Sequence, residues 1–180
     1  MLAVSGKTAY AQQTVLSEIT PSQPYAIWIN INDILLDYAE ISSTPADVLE
    51  EMKWIEPDIF TGKKPKDVFL KVDAFGKMYS DFYGVEYTSH GDDAESLAER
   101  TVGVLRIGDE DISPGMVFIK SVVVLDAISQ NYIKMSFGNK LLSPYYEIKH
   151  YENIKPDDVY GLVDMAYRRL QLMTDIKRVE

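Results

Sequence analysis

The side chains of this chain that can do chemistry are carboxylates, hydroxyls and two histidines. There is no cysteine among the 180 residues, which excludes disulfides, thiolate metal sites and cysteine nucleophiles. A metal site would have to combine His90, His150 and carboxylates. The histidines are 60 residues apart, and neither an H-E-x-x-H motif nor a paired helical spacing occurs. No metal ligands are assigned, and no cofactor is expected. Asp92-Asp93 and Asp109-Glu110-Asp111 lack the alternating ligands and closing glutamate of a calcium loop, so they read as solvated loop acids.

Ser5-Gly6-Lys7-Thr8 has the end of a phosphate-binding loop but Met1 where the first glycine is required. No G-x-S-x-G elbow is present. His150 lies in Pro144-Tyr145-Tyr146-Glu147-Ile148-Lys149-His150-Tyr151-Glu152, a stretch rich in aromatic and titratable groups. A histidine beside tyrosine and glutamate can move protons, yet the same types make an ordinary polar loop. No catalytic residue is assigned. Tyr145, Tyr146, His150 and Tyr151 are the candidate binding residues.

Charge narrows the partners. Lysine and arginine number 18 against 28 acids, a net charge of −10. Such a surface repels phosphate backbones and anionic lipid, so no nucleic-acid partner is expected. No continuous apolar window of about 18 residues stands out, so no membrane span is expected.

The elements that must position these groups announce themselves through a repeat. Pro21-Ser22-Gln23-Pro24-Tyr25, Pro65-Lys66-Asp67-Val68-Phe69, Pro114-Gly115-Met116-Val117-Phe118 and Pro156-Asp157-Asp158-Val159-Tyr160 share a leading proline and a closing aromatic, at proline spacings of 44, 49 and 42 residues. Proline suits the first helical position, and an acid in the first turn meets the positive end of the helix dipole. Behind each start, apolar residues recur at helical steps, as in Val159, Val163, Ala166, Leu170 and Met173. The pattern predicts an all-α domain: a bundle or short array of four related helices starting near Pro21, Pro65, Pro114 and Pro156. Shorter helices are expected over 47–55 and 93–105. The β-branched run in the third copy supports an alternative, an α+β fold with strands in 101–137. No clear element fills 131–155.

The four aromatics, Tyr25, Phe69, Phe118 and Tyr160, are read as packing anchors. An up-and-down bundle would send alternate helix starts to opposite ends, against their convergence on one ligand. Residues 19–180 are expected to form one domain, because one-sided helices must bury their faces on one another. Residues 1–18 are read as a flexible tail or signal-peptide remnant. Thr8-Ala9-Tyr10-Ala11-Gln12-Gln13 matches a signal-peptidase site and tilts the address toward export to the periplasm over the cytoplasm. The function expected is a non-enzymatic interaction or accessory module that binds a protein partner. The alternative is a small-molecule or sensor domain with a tyrosine- and methionine-lined pocket between helices.

Overall fold

The computed structural model describes residues 18–85, 112–136 and 141–177. The N-terminal tail before Glu18, His90, both acid clusters, the helix expected over 93–105 and the possible strand over 101–107 lie outside them. The described residues form five α-helices: α1 (Ser22–Ile41), α2 (Ala46–Trp54), α3 (Pro65–Tyr83), α4 (Pro114–Met135) and α5 (Pro156–Lys177), with one 3-10 turn at Ser143–Tyr146. No strand occurs among them. The strand alternative fails where it can be seen, because α4 runs unbroken through 116–125. Its buried Val117, Ser121, Val124, Leu125, Ile128 and Tyr132 follow the helical period, and that burial overrides the β-preference of its valines.

Proline opens α3, α4 and α5, whereas α1 and α2 begin one residue after theirs. The Ser113 hydroxyl accepts the Met116 N–H at the start of α4. At α3 and α5 the first-turn acid reaches back: Asp67 accepts the Lys64 N–H and Asp158 the Lys155 N–H, each at 2.8 Å.

All four repeat-bearing helices point the same way. Pro21, Pro65, Pro114 and Pro156 ring one end of the bundle. One turn in, Pro24, Val68, Val117 and Val159 meet on the axis around a gap of about 10 Å³. The expectation that alternate starts lie at opposite ends is therefore corrected. The connections are long enough to carry the chain back. A 22-residue helix such as α5 spans roughly 33 Å, which about ten extended residues can retrace.

Around the axis the order is α1, α5, α3, α4, with each helix packed on its two ring neighbours. α1 and α3, on opposite corners, meet through large side chains: Trp28 lies edge-on to Phe75, ring centroids 5.2 Å apart. Trp28 is fully buried and donates its indole N–H to Ser121 Oγ at 2.8 Å. Near the far end Asn131 of α4 donates to the hydroxyls of Tyr38 and Tyr79. Burial pushes the Tyr79 and Tyr83 hydroxyls well above the usual phenol range, so they stay neutral donors.

Charge pairs lock two ring interfaces at matched heights. Asp73 of α3 binds Lys120 of α4 at 2.6 Å, and Asp164 of α5 binds Lys71 of α3 at 2.8 Å. Each aspartate also holds the cation one turn ahead, Lys77 and Arg168 respectively. Lys71 lies over the Tyr167 ring and Lys120 over the Phe69 ring, each 4.0 Å from the centroid. α4 is long and apolar enough, at mean hydropathy 1.3 over its best window, to cross a membrane. Lys120 and Asp126 interrupt that window, so it is not the continuous apolar run that the sequence reading looked for. Here α4 packs as a bundle helix, its apolar stripe against α1 and α3.

Burial would push the Asp73 carboxyl up, but the hydrogen bonds and charge of Lys120 and Lys77 outweigh it and hold it below the usual carboxylate range. At Lys120 the balance reverses, and burial lowers the ammonium despite Asp73. A depressed carboxylate stabilises the fold in full above its unfolded value of about 3.9 and loses that contribution as pH falls through the folded value. Asp73→Asn is therefore expected to lower Tm at pH 7, with the gap to the parent chain closing below about pH 4. Thermal melts across that range check it, and a pH-independent gap would contradict it.

Candidate interaction surface

Two extended segments carry the chain back along the outside of the bundle. The first, residues 55–64, runs down α5. Arg168 donates to the Glu56 carbonyl at 2.7 Å, the Phe60 ring packs edge-on against Tyr160 at 4.8 Å, and the Lys63 N–H reaches Asp157 at 2.6 Å. The second, residues 147–155, runs down α1. Asn30 donates to the Glu147 carbonyl at 2.9 Å, Tyr151 packs edge-on against Tyr25 at 5.1 Å, and the Tyr151 N–H reaches Ser22 Oγ at 2.8 Å.

These straps are two copies of one device. An offset of 91 residues superposes Glu56 on Glu147, Phe60 on Tyr151, Gly62 on Asn153 and Pro65 on Pro156. Gly62 and Asn153 both have positive φ, 76° and 59°. Glycine, and next to it asparagine, tolerate that left-handed turn best. The helices beneath are trimmed to match. A Cβ on Gly161 would stand 2.8 Å from the Asp58 carbonyl oxygen, so only glycine lets the first strap lie this close to α5. The corresponding residue of α1 is the buried Ala26, whereas α3 carries the exposed Leu70 there.

The repeat aromatics thus face outward from the axis, one position beyond the residues that plug it. Tyr25 and Tyr160 each receive a strap ring, Phe69 lies under Lys120, and Phe118 packs half-buried against the core. The four candidate binding residues are spread along the second connection. The Tyr145 hydroxyl donates to Asp37 and its ring meets Tyr132 edge-on at 6.0 Å. Burial, then the bond to Asp37, push that hydroxyl far above the phenol range, so it acts as a fixed donor. Tyr146 is partly exposed and hydrogen-bonds Asp126 of α4 at 3.4 Å. His150 is exposed beside a shallow groove that it lines with Thr20, Ser22 and Tyr151. No three histidine or carboxylate side chains stand together as a metal-holding group among the described residues.

The first connection holds a feature that sequence reasoning passed over. α2 buries Met52 and half-buries Val48, with Ile55 following them inward, as the helical spacing of those three predicts; Leu49 is half-buried as well. Its outer stripe is Asp47, Glu50, Glu51 and Trp54, at steps of 3, 1 and 3. Trp54 is 80% exposed, and Ile59 on the adjoining strap is 96% exposed. The corner beneath them is pinned by Arg169, a buried guanidinium from α5. It donates to the Met52 carbonyl at 3.0 Å, to the Ile55 carbonyl at 3.2 Å and to Asn32 Oδ1 at 3.0 Å. Asn32 in turn donates to the Trp28 and Leu162 carbonyls. The signal available in the sequence was a tryptophan off the apolar face of its own helix.

A second open groove, of about 560 Å³, lies between α3 and α5, lined by Ala74, Met78, Tyr167, Gln171 and Thr174 among others.

No family model, no curated protein and no solved structure matches this chain. The surface must be read from its own geometry.

Gly161→Ala tests the seating of the first strap. Alanine in an exposed helix interior ordinarily gains about 1 kcal/mol over glycine. Here the added Cβ must displace a backbone carbonyl, so the expected result is a lower Tm and faster hydrogen exchange at the Lys63 amide. A gain in Tm with unchanged exchange would show that the strap does not lie where described.

Proposed function

We propose that this chain is a helical interaction module that docks on a protein partner through the corner where α2 meets the first strap, acting as an accessory rather than as an enzyme. The observation that carries the reading is the outward stand of Trp54 and Ile59, 80% and 96% exposed, on backbone that is otherwise tied down. Single exposed apolar residues are common on any protein. A tryptophan is different, because its large rigid surface makes it one of the side chains that most often dominate binding energy at interfaces. Ile59 is five positions after Trp54, so the two lie within about 18 Å and fit in one interface.

Pre-organisation supports the same reading. Arg169 fixes the last turn of α2, and the contact at Gly161 fixes the strap, so little conformational freedom remains to be lost on binding. Ile148 and His150 on the second strap are also exposed, as is Tyr146 in the 3-10 turn before it. The bundle axis favours this over an internal ligand pocket, being filled by side chains such as Trp28 and Phe75.

The test is site-specific photo-crosslinking in the producing cell, with the photoreactive residue at position 54 and, as control, at the exposed Lys134 of α4. The expected result is one discrete protein adduct from position 54 that is absent from position 134 and is lost on Ile59→Asp. Identical adduct patterns from both positions, or none from position 54, would overturn the proposal. Trp54→Ala alone is expected to leave stability within about 0.5 kcal/mol, since the ring packs on nothing that folding needs.

A further inference from the structure

The chemistry around that corner narrows the partner, an inference that rests on the docking reading above. Asp47, Glu50 and Glu51 share the outer stripe of α2 with Trp54, and Glu56 and Asp58 precede Ile59 on the strap; all five acids are exposed. Two of them are engaged within the fold, Glu50 with Lys53 and Asp58 with Arg168. Among the described residues, Asp47, Glu51 and Glu56 make no ion pair. Lys53, the one cation on the helix, is shared between Glu50 and Glu40. The corner therefore offers an apolar anchor inside a rim of uncompensated negative charge.

We infer that the partner is a basic amphipathic segment of another protein, seating an apolar side chain against Trp54 and Ile59 and placing lysine or arginine over Asp47, Glu51 and Glu56. The spacing sets the match. Asp47 and Glu51 are one helical turn apart, and Trp54 is one turn further on the same face. A segment lying along that stripe meets charge first and apolar surface next. An acidic or uncharged segment with the same apolar face would bury the rim carboxylates without a counter-charge. The net charge of −10 draws the same class of partner from a distance, faster at low salt.

The experiment uses the whole chain and three model peptides of about 18 residues that lack aromatics. They share one leucine face and carry lysine, glutamine or glutamate on the other. Trp28 is buried and Trp54 exposed, so the difference in emission between the parent chain and Trp54→Phe reports this corner alone. The leucine–lysine peptide is expected to shift Trp54 emission to the blue. Its affinity should fall several-fold between about 50 and about 300 mM salt, as screening shortens to a few ångströms. Exposed charge pairs change binding by about two- to five-fold each, so the triple variant Asp47→Asn, Glu51→Gln, Glu56→Gln should weaken it about ten-fold or more. Equal shifts with the lysine and glutamine peptides, or an affinity untouched by the triple variant, would overturn the basic partner and leave the docking corner standing. No shift with any of the three peptides would overturn both. A concentration-dependent dimer whose formation blue-shifts Trp54 would also overturn the inference, by giving the corner to a second copy of the chain.

Discussion

Four helices that point the same way gather four partial positive charges, about half a unit each, at one end of the molecule. They also oblige the chain to travel the full length of the bundle between one helix and the next. The first constraint explains the composition of the helix starts. Proline at the head of α3, α4 and α5 removes an N–H that would otherwise point at its neighbours. Acids fill the first turns of α3 and α5, and Asp67 and Asp158 each accept the N–H of the residue before the helix. The proline end closes over Pro24, Val68, Val117 and Val159.

The second constraint explains the straps. An extended segment has no internal hydrogen bonds, so its backbone groups must be satisfied by whatever it crosses. Asn30 and Arg168 serve the Glu147 and Glu56 carbonyls, Ser22 and Asp157 take N–H groups, and a ring-on-ring contact sets each strap's height. A segment held at its carbonyls, its amides and one ring turns its alternate side chains outward in fixed positions. Ile59 stands clear because Phe60, its neighbour, is pinned. The presented surface is thus a by-product of how the chain returns.

Much of this architecture was legible beforehand, and what was not has physical reasons. The 3.6-residue period located all four long helices, and the leading prolines located their starts to within a residue. Their common direction was not legible, because a spacing of 42 to 49 residues suits either an antiparallel neighbour with a long loop or a parallel one with a return. The discriminating signal lay upstream of the prolines, in the match of Glu56, Phe60 and Gly62 to Glu147, Tyr151 and Asn153. The aromatic cluster at 145–151 misled for a related reason. Neighbours in sequence suggest one site, but a short turn followed by an extended strap sends Tyr145 toward α1, Tyr146 toward α4 and Tyr151 onto Tyr25. Trp54 was visible as an outlier on its own helix, yet pattern alone cannot say whether another element covers it.

The ring order has a consequence for how the molecule comes into being. α1 packs against α4 and α5, the last two helices of the chain, and meets α3 across the axis. Its tryptophan therefore lacks its hydrogen-bond partner Ser121 until 93 further residues have been joined to it, and α5 follows later still. Such a topology has a high contact order, so loop closure over long sequence separations comes before most of the burial that rewards it. During synthesis α1 must wait, apolar face outward, for partners still to be made, which is the situation in which chains are prone to aggregate. A fold of local elements has here been wired so that α1 is enclosed only once α4 and α5 have been made.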